Sequence, residues 1–278
     1  MDYNGLKETL DRFYRDYNFD ERLHHDPIQF PRLYSDPRDI EVTAFISSSL
    51  AYGRVDLFIP VIRNILSRMG KSPFEFIINL DLKERHLFKD IKYRFNFSDD
   101  IFCLLYVLSV ILKRYGSLER LFKLYLREDD PYITSGLGGM IEEILSVDTS
   151  VIYGRSSKPK GFLQFFPSPE KGSACKRANL FLRWMIRDRD IDFGIWHDVG
   201  RNKLVIPLDV HIAKISRCLG FTGRKIQDWK TAVEITESLR ILDPEDPLKY
   251  DFALCHHGIS KVCSKTNCRE CIFFELSH

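Results

Sequence analysis

An all-α protein is predicted by three features of the chain. Apolar residues recur at helical spacing in one stretch after another. Glycines and aspartate-proline or serine-proline pairs punctuate those stretches at helix-length intervals, and no stretch sustains the apolar-polar alternation of a half-buried strand. At 278 residues the chain is long enough for one large domain or two close-packed lobes with a substantial core.

The elements follow in order. A first helix from Leu6 to Tyr17 puts Leu6, Leu10, Phe13, Tyr14 and Tyr17 on one face. Asp36-Pro37 supplies an N-cap and a first-turn proline for a helix to Gly53, whose middle holds Ser47, Ser48 and Ser49 in an apolar setting. Val55 to Met69 reads as a third helix stopped by Gly70, and Ser72-Pro73 opens a fourth. Asp99 to Tyr115 is apolar nearly all round and is expected to be the buried central helix, with Ser117 capping the next and Leu137 to Val147 adding one more. From Asp148 to Lys171 runs a long Ser/Gly/Pro/Lys-rich segment in which the cluster FLQFF argues against full disorder. A helix from Lys176 carries Leu180, Phe181, Trp184 and Met185. After a loop holding Trp196 and His197, Asp209 caps a helix closed by Gly220. Asp228 to Leu239 forms another helix, and Asp246-Pro247 is read as the cap and first-turn proline of the last.

With 44 % hydrophobic and 29 % charged residues, and no apolar run near the roughly 20 residues of a membrane helix, the composition is that of a soluble globular protein. The start, MDYNGLKETLDRFYRDY, lacks the apolar core of a secretion signal, so the expected location is cytoplasmic. A net charge of +2 says little about nucleic acid, whereas its distribution says more. Residues 154–189 hold nine basic side chains, Arg155, Lys158, Lys160, Lys171, Lys176, Arg177, Arg183, Arg187 and Arg189, against Glu170 and Asp188. Such an excess suits a phosphate-contacting surface, or a solvated charged face.

Lys176 and Asp209 are the candidate reactive pair. A lysine at a helix start lies beside unpaired backbone N–H groups, and the positive end of the helix dipole favours its uncharged form, as a nucleophile requires. Taken singly, each has an ordinary reading, the lysine as a solvated or phosphate-contacting residue and the aspartate as a cap.

Their joint setting resembles the helix-hairpin-helix DNA glycosylase superfamily. Its endonuclease III-like members carry a hairpin ending G-x-G-x-K-x-A-N, then a helix, then V-D-T-H-I. Here the matching residues are Gly172, Ala174, Lys176, Ala178 and Asn179, followed by LDVHI with Asp209 and His211. Ala174 stands at the second hairpin glycine and Lys171 where a proline usually precedes the first. The stretch also resembles the archaeal 8-oxoguanine glycosylases. From RANLFLRWMIR to DPEDPLKYDFAL it looks still more like an uncharacterised bacterial family within the superfamily.

The resemblance implies a two-lobed fold with a cleft between lobes. Residues 1–35 begin a discontinuous lobe, 36–170 form a central helical lobe, and 171–254 complete the first with the hairpin and catalytic helices. It implies Lys176 as the Schiff-base lysine and Asp209 as the essential aspartate of a base-excision glycosylase with AP lyase activity, acting on oxidised purines such as 8-oxoguanine. The expected partner is double-stranded DNA carrying a damaged base or abasic site, bound by a monomer through Gly172, Ser173, Ala174, Arg177, Arg183, Arg187, Lys158 and Lys160. Trp196, His197 and His211 are the expected base-pocket residues, with Trp196 placed to stack on an extruded base. The other readings are a DNA-structure binder that keeps the fold without catalysis, and an enzyme of RNA or nucleotide metabolism using the same cleft.

Seven cysteines, four of them close together at the C-terminal end, suit a reducing compartment and a metal site better than a disulfide framework. Cys255, Cys263, Cys268 and Cys271 are the expected ligands of the tail, residues 255–278. The superfamily's [4Fe-4S] cluster, which follows an H-G pair such as His257-Gly258, is the favoured occupant, and Zn2+ the alternative.

Overall fold

The computed structural model describes residues 3–259 and Phe273. The described residues are helical and contain no strand, only the isolated bridges Tyr93–Asn96 and Ser173–Asp228, so the protein is all-α. No single described helix is long and apolar enough to cross a membrane. The chain divides into two compact units, one of Met1–Arg22 with Gly172–His278 and the other of Leu23–Lys171. The first boundary therefore falls at Arg22 rather than at residue 35.

In the Leu23–Lys171 unit the helix Ser98–Tyr115 is the hub, burying Ile101, Phe102, Leu104, Leu105, Leu108, Ile111 and Leu112 against the surrounding helices. The helix Pro37–Leu50 begins as its sequence dictates, with the Asp36 carboxylate accepting the Arg38 N–H. Two buried acids on that helix then anchor its neighbours. Asp39 accepts from the Phe74 N–H and the Ser72 hydroxyl at the start of Pro73–Ile78, and Glu41 accepts from the N–H groups of Leu118 and Glu119 at the start of Leu118–Tyr125. A carboxylate at a helix start satisfies amides that have no intrahelical partner and meets the positive end of the dipole. Ser47, Ser48 and Ser49 are all buried in this packing. The segment 148–171 is not featureless: it forms the single turns Ser150–Tyr153 and Lys160–Leu163, and it buries Phe162, Phe165 and Phe166.

The other unit contains the helices Tyr3–Arg15, Lys176–Ile186, Val210–Cys218, Trp229–Leu242 and Asp251–Ile259. Asp11 joins the first of these to the end of the chain by accepting from Lys249 at 2.6 Å and from the Tyr250 hydroxyl at 2.7 Å. The last helix does not start where the sequence predicts. Residues 247–250 form a turn, the helix begins at Asp251, and the Asp246 carboxylate is engaged by the Arg187 guanidinium instead of capping.

Val210–Cys218 packs on Asp251–Ile259, and Gly258 lets the two helices approach. A Cβ there would sit 2.9 Å from His211 Cβ and 3.2 Å from Ile215 Cδ1. Gly258→Ala is expected to cost about 1–3 kcal/mol, as overpacking does. A lowered midpoint in thermal or urea unfolding checks this, and an unchanged midpoint refutes the close approach.

Candidate active site

The segment before Lys176 is folded back on its own unit. Gly172 has φ +81°, which favours glycine, and its carbonyl accepts the Trp229 N–H at 3.0 Å. Ser173 bridges to Asp228, the residue that caps Trp229–Leu242 through the Thr231 N–H. Cys175 is left-handed (φ 48°) and buried, and Asn179, also buried, donates its side-chain amide to the Ala174 carbonyl at 3.1 Å. This clasp fixes where the next helix begins, and Lys176 is its first residue. The sequence 164–175 contains no helix.

Asp209 is the N-cap of Val210–Cys218. Its Oδ1 accepts the N–H groups of His211 and Ile212, both at 2.9 Å, which turns Oδ2 away from the backbone. Lys176 Nζ lies 3.2 Å from that Oδ2. Residues that are 33 positions apart in the chain thus form one ion pair, whose lysine side chain is 36 % exposed and whose aspartate side chain is 13 % exposed. Burial pushes the Asp209 carboxyl up. The Lys176 charge and the Ile212 N–H, with a further contribution from His211, outweigh burial and hold it below its ordinary value. The arrangement offers a reachable amine beside an ionised, oriented carboxylate that can take a proton from it and return it.

His211, half-buried, is the third expected residue at this point. Trp196 and His197 are not. The Trp196 N–H donates to the Met185 carbonyl at 2.8 Å, and its indole is 3 % exposed, edge-on to Phe181 at 5.4 Å between ring centroids. It fills the core and cannot stack on a base. His197 is exposed and lines a cavity of about 340 Å³ with Ile186, Asp188, Gly200, Arg201 and Glu245. That is the far end of the lysine helix, roughly 14 Å along its axis from Lys176 at 1.5 Å per residue.

Arg183 and Arg187 also depart from expectation. They continue the stripe of Lys176 down one side of its helix, but each guanidinium is buried, at 4 % and 3 % side-chain exposure. Arg183 Nε donates to Asp192 at 3.2 Å and its Nη1 to Asp251. Arg187 donates to Asp246 at 2.9 and 3.0 Å, to Asp192 at 3.0 Å and to Asp190 at 2.7 Å. Neither is available to a phosphate, because every approach would strip a buried carboxylate of its counter-charge. Burial raises Asp251 and pushes Asp192 up to about 6 despite both guanidiniums. An excess of acids over two cations in this pocket accounts for that direction. The exposed part of the basic segment is Arg155, Lys160, Lys171 and Arg189, with Lys158 and Arg177 half-buried. In the clasp, Gly172 is exposed, Ser173 half-buried and Ala174 buried.

Of the four expected metal ligands, Cys263, Cys268 and Cys271 lie outside the described residues. Cys255 is described, one turn after Asp251, and its Sγ lies 3.7 Å from Asp209 Oδ2. A metal-bound thiolate there would face a carboxylate at contact distance, so the donor set visible at Cys255 does not fit a thiolate ligand. Among the described residues no group of three or more metal-ligating side chains converges.

Sequence reasoning found the lysine and the aspartate and missed the acids beneath them. Asp251 carries a readable signal, a lone acid inside the apolar run YDFAL. No curated protein and no solved structure matches the chain. The model of the family described as "Protein of unknown function (DUF2400)" matches residues 26–260, and the chain belongs to that family.

Proposed function

We propose that the chain is a DNA base-excision glycosylase with an AP lyase step, acting on an oxidised purine such as 8-oxoguanine. The observation that carries this reading is the Lys176–Asp209 pair at 3.2 Å, with the amine open to solvent and the carboxylate oriented by two backbone amides. Lys176 passes a proton to Asp209 Oδ2, and its freed lone pair forms a bond to the sugar C1′. The C1′–N bond to the base breaks, its electrons leave with the base, and the proton held by Asp209 is available to that leaving group. The carboxylate also stabilises positive charge developing on the sugar. The substrate class and the helix-hairpin-helix fold rest on the resemblance of the 172–179 and 208–212 segments. A DNA-structure binder would require neither the amine nor its acceptor.

The test of the reading is excision from a panel of damaged duplexes. Release of an oxidised purine is expected, and failure to release any base contradicts it.

Affinity for duplex DNA is expected to fall steeply with salt, because phosphate contacts release counterions. The exposed Arg155 and Lys160 are now the residues that report it. Arg155→Glu with Lys160→Glu should weaken binding to damaged and undamaged duplex alike and flatten the salt slope. Unchanged binding would make this stretch a solvated face.

A further inference from the structure

The last described helix presents Asp251, Cys255 and Gly258 at i, i+4 and i+7, a single helical face. Each of the three meets one of the two helices that carry the reactive pair. Asp251 accepts from Arg183, two turns along the lysine helix, while Gly258 admits His211 at the start of the aspartate helix. Between them Cys255 reaches Asp209 Oδ2, the same oxygen that pairs with Lys176. Oδ1 already has its two amide donors.

We propose that Cys255 is a positioning residue of the lysine–aspartate site, a protonated thiol that donates to Asp209 Oδ2 and holds that oxygen toward Lys176, and that it is not a metal ligand. The inference rests on the reading of Lys176 and Asp209 as the reactive pair. A carboxylate held at one oxygen only can swing the other about its Cα–Cβ–Cγ torsions. A second donor on Oδ2, fixed by a helix that is itself tied to Arg183, removes that freedom. The thiol is a weak donor, so it orients the carboxylate without competing strongly for the proton that must move between Nζ and Oδ2. Any metal in the tail would then be held by Cys263, Cys268 and Cys271 without Cys255.

The test uses the full-length protein and two readouts. In the infrared difference spectrum of wild type minus Cys255→Ala, an S–H stretching band is expected, and the same band should shift in the Asp209→Asn background because its acceptor has changed. A metal-bound thiolate carries no S–H, so absence of the band overturns the proposal. In borohydride trapping on an abasic duplex, Cys255→Ala should slow adduct formation by about five- to tenfold, the scale of one lost hydrogen bond. Cys255→Ser, which restores a donor, should recover most of the rate, and neither variant should change the metal content per chain. Equal loss of rate and metal in both variants would overturn the proposal and make Cys255 a ligand. If wild type forms no adduct at all, the parent reading fails, while the infrared arm still decides the thiol contact by itself.

Discussion

Arg187→Ala lowers the free energy of unfolding by about 3–5 kcal/mol, the scale on which breaking one partner of a buried ion pair destabilises a protein. The guanidinium contacts Asp190, Asp192 and Asp246 and is 3 % exposed, so alanine leaves carboxylates buried without their counter-charge. Burial works against the Arg187 charge, yet Asp192 and Asp246 raise its guanidinium above the ordinary range. Urea denaturation at neutral pH measures the loss. A change below about 1 kcal/mol, the range of an exposed pair, would refute the buried network. The same cluster gives a sign to the pH dependence. Asp192 is raised when folded, to about 6, so the native state binds more protons than the unfolded chain between the ordinary carboxylate range and that value. Its contribution to stability therefore declines as pH rises toward about 6 and is flat above it.

How much of this is legible in the sequence depends on whether the deciding partner is nearby in the chain. Asp36, Ser72, Ser117, Asp209 and Asp228 cap the helices they immediately precede, because a cap bonds an amide two or three residues away. Asp246 looks like the same signal, but Arg187 takes its carboxylate and the helix waits until Asp251. The stripe Arg183 and Arg187 reads as surface charge in a window that ends at residue 189, one residue short of Asp190. Its remaining partners, Asp246 and Asp251, arrive from the far end of the chain. Trp196 sits in a polar-looking loop, and only the return of that loop onto Phe181 and Met185 buries it. Cys255 follows the same rule, since its spacing to the other cysteines is visible in one dimension and its contact with Asp209 only in three.

A second large effect is expected at the amine itself. Lys176→Gln should abolish covalent capture of DNA while leaving duplex binding nearly intact, because one amine is a small part of a distributed phosphate clamp. Asp209→Asn separates the two roles the residue holds here. Asparagine caps almost as well, so the fold should persist, whereas loss of the carboxylate charge should lower base excision by about 100-fold or more.

The most direct measurement is borohydride trapping of wild type, Lys176→Gln and Asp209→Asn on oxidised-purine and abasic duplexes, read as a protein–DNA adduct on a denaturing gel. An imine formed between Nζ and C1′ is reduced to a stable amine, so the wild type should give an adduct and Lys176→Gln none. Wild-type protein that forms no adduct with any lesion or abasic duplex would contradict the Schiff-base role of Lys176, and Asp209→Asn protein with full excision would reduce Asp209 to a helix cap.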